Sequence, residues 1–131
     1  MDLIEGIPKP LLDDIVANRC LPVVGAGFSK NAVVPDGLMM PNWRELGNEF
    51  SKLLDGYSHA SPLDAISAYA HEYKRPKLVE QLAESLLIDR ISPGPAHQSF
   101  CEVPFDTVCT TNFDFLLEEG YRFAPRGAPC V

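Results

Sequence analysis

The sequence predicts an α/β fold in which a parallel sheet is flanked by helices. Two short apolar runs, residues 21–24 (LPVV) and 105–111 (FDTVCTT), each end in a polar turn that leads toward a helix. Several stretches between them carry apolar residues at helical spacing. In an open α/β sheet both turns lie at the carboxyl ends of parallel strands, where ligands bind, so two polar turns are expected to face one crevice. The 131 residues have room for one domain with one core.

The elements follow in order. Leu11, Leu12, Ile15 and Val16 behind Pro10 predict a short amphipathic helix over 10–18. Residues 21–24 read as a buried strand, with Pro22 tolerable only at its beginning. The segment after Ser29, KNAVVPDGLMMP, holds two prolines and an Asp36-Gly37 turn, so it is expected as a loop over the pocket rather than a long helix. Asn42 and Glu45 form an approximate capping box, and Trp43, Leu46, Phe50 and Leu53 then predict a helix over 43–54. Leu63, Ile66, Ala70 and Tyr73 mark one further core-facing helix; Leu78, Leu82 and Leu86 with Val79 mark another behind Pro76. Residues 92–95 are a turn, 97–102 a single short helix, and 105–111, rich in β-branched residues, a second buried strand. A helix is expected over 115–119, with Gly120 in the left-handed position past its end. The last eleven residues carry no predicted regular structure beyond a final strand edge.

Composition removes several classes of function. The chain is 46% apolar and 22% charged, as in ordinary globular proteins. Its apolar runs fall far short of about 18 residues, and Asp2 and Glu5 stand where a secretory signal would place basic residues, so a cytoplasmic protein is expected. A net charge of −7 opposes a broad nucleic-acid or anionic-membrane footprint, while a small anion held by local N–H groups stays compatible. Cys20, Cys101, Cys109 and Cys130 are scattered, without the close pair of a structural zinc site, so reduced thiols and no metal are expected.

Gly25-Ala26-Gly27 is the kind of turn at which backbone N–H groups converge on an anion, because side chains do not block the approach. The third glycine of the dinucleotide fingerprint is absent, which disfavours an ordinary Rossmann fingerprint. The bland alternative is a turn needed for packing, with Ser29 as a mere helix cap. Asn112 and Asp114 have their own alternative, as N-cap and first-turn acid of the following helix. His97 reads as a hydrogen-bonded structural residue, His59 and His71 as surface residues, and Asp13, Asp14, Glu118 and Glu119 as solvated helix faces.

Together GAGFS, the P-x-x-x-H spacing from Pro93 to His97, and TTNFD resemble the sirtuin-like domain family, including its divergent bacterial branch of NAD hydrolases acting in defence against phage. That branch commonly has T-T-N-[YF]-D and a Trp after the first motif, as at Trp43. The resemblance implies a Rossmann-like parallel sheet flanked by helices, incomplete in this chain, with residues 1–131 the N-terminal part of one NAD-binding domain. It implies that Gly25, Ala26, Gly27, Phe28 and Ser29 surround the phosphates and adjacent ribose. Asn112 would then lie by the nicotinamide ribose and Asp114 by the carboxamide, with Asn112 and Asp114 catalytic and Thr111 a further cofactor-binding residue. The zinc-binding cysteine pairs and the G-I-P-D-F-R segment of protein-deacylating sirtuins are missing, so the implied reaction is NAD hydrolysis.

The family's catalytic His lies in a His-Gly pair downstream of the third motif, and His97 is the last histidine here. The parent protein is therefore expected to continue, with a C-terminal remainder or sensor domain as partner, and this piece to be inactive alone. A homo-oligomer stays open. The alternative function is a non-catalytic NAD or ADP-ribose sensor, and a third is a helical module whose glycine turn holds nothing.

Overall fold

The structure, a computed structural model, describes residues 3–58 and 60–124. They divide into two compact units. One takes the described residues up to Asn31 and those from Pro93 onward; the other is Ala32–Ser92.

The first unit holds a 3-10 turn, Leu3–Gly6, then α1 (Lys9–Val16), β1 (Val23–Val24), α2 (Ala26–Ser29), α5 (Pro95–Glu102), β2 (Cys109–Thr110) and α6 (Leu116–Phe123). β1 and β2 pair in parallel, Val23 opposite Cys109 and Val24 opposite Thr110. This is a mixed, helix-dominated architecture with a small parallel sheet; both strands are shorter than the apolar runs that predict them. Val24 is buried with Cys101 and Leu117, and Phe28, Phe100, Val108 and Tyr121 pack against them. Val23, by contrast, is 70% exposed, and both residues of β2 are exposed although the sequence predicts a buried strand there, since a two-stranded sheet leaves a face uncovered.

Several expectations need correction. α1 buries none of its residues, because Leu11 and Val16 face solvent and Leu12 and Ile15 are only half-buried. Gly120 lies inside α6 rather than past its end, since the helix runs on to Phe123 and includes part of the terminal stretch expected to be irregular. The reason is packing. Gly120 is buried, and a Cβ there would come within 2.8 Å of Cys101 Sγ. Cys20, Cys101 and Cys109 are thiols; Cys130, His59 and the expected final strand edge lie outside the described residues.

The second unit pairs α3 (Trp43–Lys52) with α4 (Pro62–Ser85). α3 begins at the expected capping box: Glu45 N–H donates to Asn42 Oδ1 (2.9 Å) and Asn42 N–H to Glu45 Oε2 (2.7 Å). Ser61 and Asp64 form a second box at the start of α4. Leu46, Phe50, Ala65 and Tyr69 make the core, with the Phe50 and Tyr69 rings edge-to-face at 5.0 Å. The buried face of α4 matches the predicted stripe only in part: Ile66 packs against the core, but Leu63 is 61% exposed and Tyr73 is exposed, while Ala65 and Tyr69 turn inward. Leu78, Leu82 and Leu86 pack against this core as expected, whereas Val79 is exposed. The two predicted helices on either side of Pro76 are joined into α4 across a kink at Lys74 (φ 69, ψ 166). Pro76 then falls in the first turn after the kink, where its missing N–H costs little.

Two substitutions should move stability in opposite directions. Lys74 occupies backbone space that only glycine enters readily, at a strain of about 1–3 kcal/mol. Lys74→Gly should therefore raise the free energy of unfolding by about 1 kcal/mol after the added chain entropy of glycine is deducted. Gly47 sits where a Cβ would meet Pro62 Cα at 2.7 Å, and backbone cannot yield as a side chain can. Gly47→Ala should cost about 1–3 kcal/mol. Urea midpoints at constant slope check both.

Candidate functional site

Parallel register brings the two polar turns side by side. Cys109 N–H donates to Pro22 O (3.0 Å) and Thr111 N–H to Val24 O (3.1 Å), so both strands end at the same level. The chain leaves β1 through Gly25 into the single turn of α2, and leaves β2 through Thr111 toward α6. Asn112 N–H is held by Thr110 Oγ1 at 3.1 Å. This is the sheet end at which α/β folds bind ligands.

The side chains of the two turns are joined directly. Asn112 Nδ2 donates to Gly25 O at 3.1 Å and to Ser29 Oγ at 3.0 Å. Ser29 Oγ in turn donates to Asp114 Oδ2 at 2.5 Å, and Asp114 Oδ1 accepts the Leu116 N–H at 3.1 Å. Ser29 is 4% exposed, and Asn112 and Asp114 are half-buried. The short serine-to-carboxylate bond is charge-assisted, which places it among the stronger hydrogen bonds.

These bonds decide between the local and cross-turn roles of Asn112 and Asp114. Phe115, not Asn112, is the N-cap of α6. Asn112 spends its amide N–H groups across the sheet, and Asp114 makes one local bond and one to Ser29. Ser29 both accepts and donates, which makes it a bridge rather than a free nucleophile.

Asn112 Oδ1 is shielded from solvent and has no hydrogen-bond partner among the described residues. An unsatisfied buried acceptor costs about 1–3 kcal/mol, which a bound hydroxyl or water would recover. The amide cannot be turned to relieve this, because Oδ1 would then face the Gly25 carbonyl.

The glycines are open rather than strained. Neither Gly25 nor Gly27 has positive φ. A Cβ on Gly27 would meet nothing within 4 Å, and one on Gly25 would meet only Thr111 Oγ1, at 4.0 Å. Gly25, Ala26 and Gly27 are exposed, so their backbone is accessible to a ligand. The first N–H groups of α2 have no acceptor within their own helix. Thr111 is exposed on the facing turn, while Phe28 is half-buried and points its ring at His97 (centroids 4.5 Å) and Phe100 (5.3 Å).

His97, 1% exposed, takes the third position of α5, where its Nδ1 accepts the N–H of the N-cap Gly94 at 3.2 Å. This is the hydrogen-bonded structural role expected from sequence. Its Nε2 is buried without a partner among the described residues. Burial holds the ring below the ordinary imidazole value of 6.5, and the Asp114 carboxylate acts the other way. His97 thus belongs to the neighbourhood of the two turns, which the sequence signals only through the separate P-x-x-x-H spacing. His71 is exposed.

Among the described residues no cluster of His, Cys, Asp or Glu could hold a metal, and no helix is long and apolar enough to cross a membrane. No protein-family model matches the chain, and no curated protein matches it.

A depressed histidine pKa makes the unfolded chain the better proton acceptor. The contribution of His97 is therefore complete above about pH 6.5, declines as pH falls below 6.5, and is fully lost below the folded pKa. Urea unfolding of the protein and its His97→Asn variant across pH 4.5–8 should show their stability difference shrinking on the acidic side. A constant difference would contradict a buried neutral ring.

Proposed function

We propose that the 25–29 and 111–114 turns bind NAD and that, as in the sirtuin-like family the motifs resemble, the site serves cleavage of the nicotinamide–ribose bond. The observation that carries this reading is the bridge from Asn112 to Gly25 and Ser29 and on to Asp114. It draws the glycine turn and the polar turn into one site. In this reading the small parallel sheet belongs to a Rossmann-like fold.

The chemistry suits these groups. As the glycosidic bond breaks, its electron pair leaves with nicotinamide and positive charge develops on the ribose. The Asp114 carboxylate, already fixed by Ser29 and the Leu116 N–H, supplies an opposing charge that needs no reorganisation. Asn112 Oδ1, the unpartnered acceptor, would take a ribose hydroxyl or orient the water that adds to the sugar carbon. Exposed backbone at Gly25, Ala26 and Gly27 would receive the phosphates. A role in defence against phage rests on the resemblance alone.

A second reading, NAD or ADP-ribose sensing without cleavage, is favoured by the internal bonding of Ser29 and Asp114. Titration calorimetry with NAD, alongside nicotinamide release, both on the full-length protein, separates the two. Binding with release that falls about tenfold or more in Asn112→Ala, equivalent to about 1.4 kcal/mol, supports cleavage. Binding without release supports sensing, equal release by both proteins removes Asn112 from the mechanism, and absence of binding overturns both readings.

A further inference from the structure

We propose that His97 is a positioning residue whose neutral ring fixes the 25–29 turn through Phe28, and that protonating the ring loosens that turn. The inference stands whatever the turn binds.

The geometry begins with the tautomer. Because Gly94 donates to Nδ1, that nitrogen carries no proton, and the neutral ring must hold its proton on Nε2. The ring packs against Phe28 in a tilted arrangement, centroids 4.5 Å apart and planes at 49°, and Phe28 lies between Gly27 and Ser29 in the chain. Phe28 O also accepts the N–H and the side-chain amide of Asn31 at 3.1 and 3.0 Å. The packed ring and the bonded carbonyl of Phe28 thus anchor the middle of the turn from two sides. His97 reaches this turn from α5, so the ring couples the start of α5 to the glycine turn.

Protonation can occur only at Nδ1, and it removes the acceptor of the Gly94 N–H. It also places a charge in a site that is 1% exposed. Among the described residues, the charged group acting on the ring is Asp114, in the turn before α6; α2 presents the uncharged Phe28. One carboxylate, already bonded to Ser29 and the Leu116 N–H, offsets the buried charge only in part. The charged ring is therefore expected to swing off the Gly94 N–H, and its packing against Phe28 changes with it.

The test is a pH titration of the protein by nitrogen-15 NMR from pH 7.5 downward until the His97 ring has titrated or the protein unfolds, and unfolding before any His97 midpoint overturns the proposal. The expected result has three parts: neutral His97 protonated on Nε2, an imidazole midpoint below 6.5, and amide shifts of Gly27, Phe28, Ser29 and Gly94 sharing that midpoint. In His97→Asn, which keeps an acceptor but does not titrate, the shifts at residues 27–29 should be lost. A neutral ring protonated on Nδ1, or turn amides that do not follow the His97 midpoint in the unsubstituted protein, would overturn the proposal even if the variant failed to fold.

Discussion

The Asn112 side-chain amide is the constraint on which the candidate site depends. Two strands of two residues each cannot hold their exit loops rigidly by ladder bonds alone. Asn112 supplies the missing restraint by bonding a carbonyl and a hydroxyl on the opposite turn, residues 87 and 83 positions away in sequence. Ser29 extends the restraint to Asp114, and Asp114 passes it to the first N–H of α6. The result is a chain of bonds running from the end of β1 to the start of α6. Each member orients the next, and only Asn112 Oδ1 is left without a partner among the described residues.

Packing beneath this chain of bonds serves the same end. Val24, Cys101 and Leu117 form the apolar floor, and Phe28 covers it while contacting His97 and Phe100. Gly120 lets α6 approach Cys101 closely. A floor of this kind can be rigid while the glycines above it remain open. That combination, a braced base and accessible backbone, is what an anion-binding turn requires.

Local signals in the sequence transmitted well. The Asn42 and Glu45 pair marks the start of α3 because a capping box needs only neighbouring residues. The short α2 agrees with the prolines that follow it, and Pro76 marks the second half of α4. Tertiary choices were less visible. Gly120 looks like a helix terminator, yet it is required inside α6 by contact with Cys101. Leu63 fits the apolar stripe of α4, but the close approach of Gly47 to Pro62 turns Ala65 and Tyr69 toward α3 instead. Asn112 carries an ordinary capping signal, and its actual partners lie across the sheet. The motif residues were legible as a group, whereas the bonds among them depend on parallel register, which composition and periodicity do not encode.

The central claim is that Ser29 and Asn112 act as one bonded unit. A double-mutant cycle on folding stability with Ser29→Ala and Asn112→Ala tests it directly. Residues in one hydrogen-bond network show coupling of about 0.5–3 kcal/mol, and the account predicts a value in that range. Additivity within about 0.3–0.5 kcal/mol, as expected of independent sites, would contradict it.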